Sequence, residues 1–465
     1  MRHNLAAVPG VHIPRSSFDR SHRYLTTFDA DQLIPVFMED VIPGDTFSVG
    51  MDFFARLATP YKPVMDNAKL CSYFFFVPYR LVWQNFEKFN GAQDNPDDSI
   101  DFTIPVFSTS GNVLTGSLAD YFGIPINLAN AYQQISCLPF RAYNLIWNEW
   151  FRDQNLQDGI TVNTDDGPDI AGDYAVMNRG KAHDYFTSCL PWPQKGDSVQ
   201  INIGTSAPVH GLAINDPTAT SGNPGAYRYG EGESSSDWTD FYGPDNVYFE
   251  ANPATGRHGV FADLSSATGA TINDWRLAFQ TQRLLERDAR SGTRYPEMIF
   301  AHFGVVVPDF RVQRPEFLGG GKTRININAV AQTSGQPTPA STDKLGELAA
   351  IGTVSGHHGF SKSFVEHGCV IGLVCVAADL TYSQGIERYW SKRTRYDFFL
   401  PVLAQIGEQS VLNKEIYYQN SPGTGATDDD GVFGYQERYA EYRWKPSKIT
   451  GLFRPTATSS LDVWH

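Results

Sequence analysis

From Phe47 the chain alternates between apolar and polar positions. Phe47, Val49, Met51, Phe53, Ala55 and Leu57 share one face; Ser48, Gly50, Asp52 and Arg56 share the other, with Phe54 as the exception. A sustained period of two predicts a half-buried strand. Pro43-Gly44-Asp45 opens it with a turn, and Pro60 and Pro63 end it. Two further runs, Leu70 to Val77 (LCSYFFFV) and Cys369 to Ala378 (CVIGLVCVAA), are apolar on both faces. Such runs predict strands covered on both sides. Most of the chain lies between them, which suggests a Greek-key or jelly-roll barrel with long excursions between its strands. A third alternating stretch, Arg324 to Val330, sets Ile325 and Ile327 against Asn326 and Asn328.

Helical periods interrupt this β pattern. Ser117-Leu-Ala-Asp120 is a capping box that predicts a short helix closed by Gly123. Phe140, Tyr143, Trp147, Trp150 and Phe151 recur at helical spacing between about Pro139 and Leu156, the pattern of a core-packed helix. Thr271-Ile-Asn-Asp274 opens another helix, running to Ser291 with Gly292 as its stop. The first 40 residues follow no period and are punctuated by Pro9, Pro14 and Pro35; we read an N-terminal arm over residues 1–45. Residues 196–270 are rich in Gly, Ser, Thr, Asn, Asp and Pro, with Tyr227, Tyr229, Trp238, Tyr242 and Tyr248 among interleaved aromatics. Those aromatics argue against disorder, and a loop this long is usually functional. A surface insertion within a single domain spanning 1–465 is expected.

Composition shifts this picture toward assembly. Aromatics are 13% and charged residues only 19% of the chain, with 41 Gly and 28 Pro. Many short strands joined by turns fit that mixture, and the low charge fits a surface buried against other subunits. The net charge of −14 argues against nucleic-acid binding over the whole surface. Residues 1–28 run the other way, holding Arg2, Arg15, Arg20 and Arg23 against Asp19. The five cysteines (Cys71, Cys137, Cys189, Cys369, Cys375) are scattered with no Cys-x-x-Cys pair, so buried free thiols in a reducing cytosol are expected. No secretory leader or run of apolar residues long enough to cross a membrane is evident, so no membrane insertion is expected.

Chemistry is hard to find. Glu316-Phe-Leu-Gly-Gly-Gly-Lys-Thr323 ends like a phosphate-binding loop, but Glu316 stands where the motif needs Gly; Gly319 to Gly321 read as a flexible turn. His357-His358, flanked by Gly356 and Gly359, read as a mobile loop rather than a metal site, even with His367 nearby. Asp428-Asp429-Asp430-Gly431 lacks the alternation of a calcium loop. No catalytic, cofactor or metal site is expected, and no enzyme. Paired carboxylates need no local motif, so the rival reading is a stand-alone jelly roll that binds or acts on carbohydrate.

Four blocks carry a resemblance. They are Ser17 to Phe37 (SFDRSHRYLTTFDADQLIPVF) followed by Glu39 to Asp45, Phe75-Phe-Val-Pro-Tyr-Arg80, Gln313 to Gly321, and Tyr439 to Ser447 (YAEYRWKPS). The chain resembles the major capsid proteins of gokushoviruses, in the Microviridae, over most of its length outside 196–270. The resemblance implies an all-β fold with helical and loop insertions: an eight-stranded antiparallel jelly roll, serving as major subunit of a T=1 icosahedral shell around circular single-stranded DNA. It implies that 196–270 forms a protrusion at the threefold axes, and that a small basic packaging protein and a host receptor are partners besides other copies of the chain. The virion, assembled in the bacterial cytoplasm, is the expected location. Arg2, Arg15, Arg20 and Arg23 are then expected to face DNA, and Tyr227, Tyr229, Trp238, Tyr242 and Tyr248 to contact the host. Relatives continue past a segment like Leu461-Asp-Val-Trp-His465, so a last barrel strand is expected beyond His465.

Overall fold

The computed structural model describes residues 14–199 (except 59, 61, 96, 109, 110 and 133), 272–331, 333, 348–420 (except 405) and 428–464, with the backbone of a few short strands between 209 and 262. Seven strands make the central unit: β1 (Ile34–Val41), β2 (Thr46–Arg56), β3 (Lys69–Pro78), β4 (Glu316–Arg324), β5 (Asn326–Ala331), β6 (Leu348–Ser363) and β7 (Gly368–Ala377). All pairings among them are antiparallel, in a four-stranded sheet of order β1-β7-β3-β4 and a three-stranded sheet of order β2-β6-β5. The chain is thus mostly β, with helices and loops inserted between β3 and β4.

The alternation in β2 is realised as read. Phe47, Val49, Met51 and Phe53 turn inward, and Phe54 is 76% exposed on the polar face. Inside the sandwich Phe47, Val49 and Met51 meet Phe74, Phe76, Phe360, Phe364 and Val370, and Phe53 meets Leu70, Ile325 and Val354. Each fully buried side chain of this kind contributes ~2 kcal/mol over an exposed one. The opposite face of the four-stranded sheet is also covered. Cys71, Phe75, Val77, Ile371, Leu373 and Cys375 pack there on Phe140, Tyr143, Ile146 and Trp147. These belong to α2 (Leu138–Ile146) and the π-helical turn after it, Trp147–Phe151; α1 is the short Leu118–Tyr121 helix. Two-sided cover is why β3 and β7 read as apolar on both faces. The α1 cap is formed as expected, with Ser117 Oγ accepting from the Asp120 amide at 3.3 Å.

Three readings are corrected. Residues 34–41 are not part of an extended arm but a strand paired with β7. Pro35 hid it; it sits at a bulge between Pro35 and Phe37, on an edge strand where a missing N–H is tolerated. Gly319 to Gly321 are not a turn but lie mid-strand in β4. Here the glycines permit close approach, since a Cβ on Gly320 would collide with the Ser72 carbonyl and one on Gly321 with the His358 ring. His357 and His358 are likewise not a mobile loop but lie within β6. His357 faces out and pairs with Asp52 at 2.8 Å. His358 faces into the sandwich, its Nδ1 2.6 Å from Ser72 Oγ and its Nε2 3.0 Å from Thr323 Oγ1.

A buried ion pair fastens the helical insertion. Arg141 on α2 is fully buried and clasps Asp169 through Nε (2.8 Å) and Nη2 (2.6 Å). Its Nη1 also donates to the carbonyls of Val82 (3.0 Å) and Asp165 (2.8 Å). Tyr174 donates its hydroxyl to Asp169. Burial alone would raise the Asp169 pKa, but the hydrogen bonds from Arg141 and Tyr174 outweigh it and hold the carboxyl below its ordinary value. The five cysteines are free thiols; Cys189 is half-buried and the others are buried.

Candidate assembly surfaces

What distinguishes this chain is the apolar surface it leaves open. Helix α3 (Ile272–Ser291) is amphipathic, yet Ala289 is its one buried residue. Trp275 and Phe279 lie along it with ring centroids 6.2 Å apart and planes tilted by 38°, and both are exposed. Helix α4 (Tyr295–Phe303) buries no residue; Phe300 and Phe303 stand out from it, and Val305 and Val306 follow. Phe303 is 79% exposed. A further group, Tyr389, Trp390, Tyr396, Phe398, Phe399 and Val402, is exposed between β7 and the small sheet of β8 (Glu408–Leu412) and β9 (Val432–Glu437). Scattered apolar residues are normal on a surface, but contiguous apolar patches mark contact with another macromolecule. A protein–protein interface is one in which such groups are buried and few charges intrude.

The arm is only partly free. Arg15 donates to the Gly44 carbonyl (2.9 Å) and Arg20 pairs with Glu39 (2.8 Å), both beside β1, while Arg23 is exposed. Tyr24 donates to the Tyr121 carbonyl at 2.7 Å and Tyr121 to that of Thr27 at 3.0 Å, so the arm is tied to α1. Arg2 lies outside the described residues, as do Tyr227, Tyr229, Trp238 and Tyr242; Tyr248 falls in a short strand, Val247–Phe249, paired with Leu212–Ile214. The described arginines Arg15, Arg20 and Arg23 share no common partner, and most of the aromatic set lies outside the described residues. The apolar stripe of α3 and α4 was missed by sequence reading, although Trp275 and Phe279 at an i, i+4 spacing signalled a helix face needing a partner.

Other titratable groups serve structure. Asp429 accepts the Gln419 amide at 3.0 Å and Asp430 pairs with Lys414, so the acidic run clamps its own loop. Among the described residues, no group of three or more acidic, His or Cys side chains is placed to hold a metal, and no helix is long and apolar enough to cross a membrane. Beside β8 and β9 a cavity of about 330 Å³ is lined by aromatic and charged side chains. At its floor Tyr185 donates to Glu415 (2.9 Å) and Arg388 pairs with it (3.1 Å); burial still raises the Glu415 pKa.

Known proteins resemble this chain along nearly its whole length. A family model described as capsid protein (F protein) matches residues 6–465. The chain is 48% identical to capsid protein VP1 of Bdellovibrio phage phiMH2K, 42% to that of Chlamydia phage 1 and 36% to that of Spiroplasma virus 4. Each match covers 100% of this chain and 87%, 88% and 86% of the respective relative. A subunit whose helices expose their apolar faces, within a family of shell proteins, has a structural role in a virion rather than an enzymatic one. The chain belongs to the phage capsid F-protein family, as its gokushovirus resemblance implied.

Proposed function

We propose that this chain is the major subunit of a T=1 icosahedral shell around circular single-stranded DNA, assembled in the bacterial cytoplasm. In this reading the two sheets are the body of an eight-stranded jelly roll. The exposed apolar faces of α3 and α4 are contacts with neighbouring copies, and they are the observation that carries the proposal. Arg2, Arg15, Arg20 and Arg23 lie on the inner side near phosphates, with help from a small basic packaging protein. Residues 196–270 protrude at the threefold axes and carry host attachment, with Tyr227, Tyr229, Trp238, Tyr242 and Tyr248 as anchors.

Expression of the chain followed by sedimentation and particle imaging tests the reading. Closed shells held by interfaces of well over ~1,000 Å² are the expected result, and they should survive chelator and reductant. A monomer or small oligomer at high concentration would refute it. Exchange of 196–270 between relatives should transfer host range and leave assembly intact.

A further inference from the structure

Positive charge is concentrated far from the arm. Residues 387–399 and 441–454 together hold eight cations (Arg388, Lys392, Arg393, Arg395, Arg443, Lys445, Lys448, Arg454) against three carboxylates (Glu387, Asp397, Glu441), a net +5 in a chain of net −14. The fold brings these segments together. Lys392 donates to the Tyr442 hydroxyl at 2.7 Å and lies over its ring at 4.1 Å, while Lys445 and Lys448 both reach Glu387 at 2.7 Å. Two cations on one carboxylate leave a positive charge over. Glu387 stays ionised: burial would raise its pKa, but the two lysines hold it low. Arg393, Arg395 and Arg454 are exposed and have no ion-pair partner among the described residues.

The same juxtaposition forms the cavity of about 330 Å³ described above, within the size range of small-ligand clefts. Tyr389, Tyr442 and Trp444 are exposed at its rim, between Lys445, Lys448 and Arg454. Flat rings open to solvent beside a surplus of positive charge, here the unpaired Arg454 and the excess of Lys445 and Lys448 over Glu387, are what a single strand needs, because bases stack on the rings while phosphates meet the charges. A duplex would hide its base faces, and an acidic peptide would have no use for the rings. We infer that this rim is a single-stranded nucleic-acid site, with bases stacked on Tyr389 and Trp444 and phosphates held by Lys445, Lys448 and Arg454.

The inference rests on the reading of the chain as a shell subunit around single-stranded DNA. Its test uses the purified full chain before assembly and a labelled oligothymidylate, followed by fluorescence anisotropy across a salt series. Trp444→Ala and Tyr389→Ala should each weaken binding about tenfold, the loss of one stacking platform. Arg454→Gln should lower the salt slope by about 0.7, one phosphate contact. An abasic strand of equal length should bind wild type about a hundredfold more weakly than the oligothymidylate does, the loss of both stacking platforms. Variant shells should form with reduced DNA content. Equal affinity for the abasic strand or for polyglutamate would overturn the inference. So would variants that fail to form shells yet bind the oligonucleotide as wild type does, which would make the rim a subunit contact. If wild type formed no shells, the shell reading would fail, and the oligonucleotide measurements would still decide this one.

Discussion

Replacing Arg141 by Met removes the cation of a pair whose members are 0% and 1% exposed. Asp169 then keeps the Tyr174 hydroxyl and the Asn163 side chain but no cation, and the carbonyls of Val82 and Asp165 lose their donor. Stranding one charge of a buried pair costs about 3–5 kcal/mol. An unfolding entropy of ~2.1 cal/mol/K per residue gives roughly 1 kcal/mol/K for this chain, so Tm should fall by about 3–5 °C. The pH dependence is sharper than the magnitude. In the wild type the Asp169 pKa is depressed, so its contribution is present above the unfolded value of 3.8 and is lost as pH falls through the folded one. In Arg141→Met, burial is no longer outweighed and the pKa moves above 3.8; the penalty is then full at neutral pH and fades on acidification. Denaturant titrations of unassembled subunits should therefore show the gap between the two proteins closing from pH 7 toward pH 4. A gap that stays constant would refute the argument. So would an Arg141→Met/Asp169→Leu double mutant as unstable as the two single losses added together, because a pair acting as a unit must show coupling.

Three further outcomes follow from particular contacts. Gly320→Ala should abolish soluble folded subunit, because its Cβ has nowhere to go between β4 and the Ser72 carbonyl; normal yield and Tm would show that β4 can shift. The His358 pKa is lowered by burial and, secondarily, by His357, so the folded state disfavours its charged form. Stability should drop as pH falls below the unfolded value near 6.5, and His358→Gln should show a smaller drop between pH 7 and pH 5 in thermal melts. Phe303→Asp should leave subunit stability within about 0.5 kcal/mol of wild type, as expected at an exposed site, and should block shell formation in sedimentation; shells of normal size would remove α4 from the interface.

Legibility in the sequence followed the kind of force involved. Strand β2 was readable because one face meets solvent and the other Phe74 and Phe360, so each residue reports its own burial. Strands β3 and β7 were readable for the opposite reason, since both faces are covered. Strands β4 and β6 were misread at Gly319-Gly-Gly321 and Gly356-His-His-Gly359, because glycine signals both a loop and a close backbone approach. A one-dimensional pattern cannot separate these. Distinguishing them requires knowing that Ser72 and His358 lie opposite, which is tertiary information.

The same logic explains why the candidate surfaces were the least legible. Periodicity measures burial within a chain, but a shell subunit completes its burial only against other copies. Phe54 broke the β2 alternation and α3 carried an apolar stripe that stays exposed among the described residues; both were visible as exceptions, and neither identified what covers it. The basic and aromatic run Arg388 to Tyr396 (RYWSKRTRY) was also visible, with four cations and no carboxylate. On the N-terminal arm Glu39 cancels the Arg20 charge, so local sequence charge overstated the charge available to a partner. What reaches a ligand is the charge left after the fold has paired it, and that remainder is larger around Lys445 and Arg454 than along the arm.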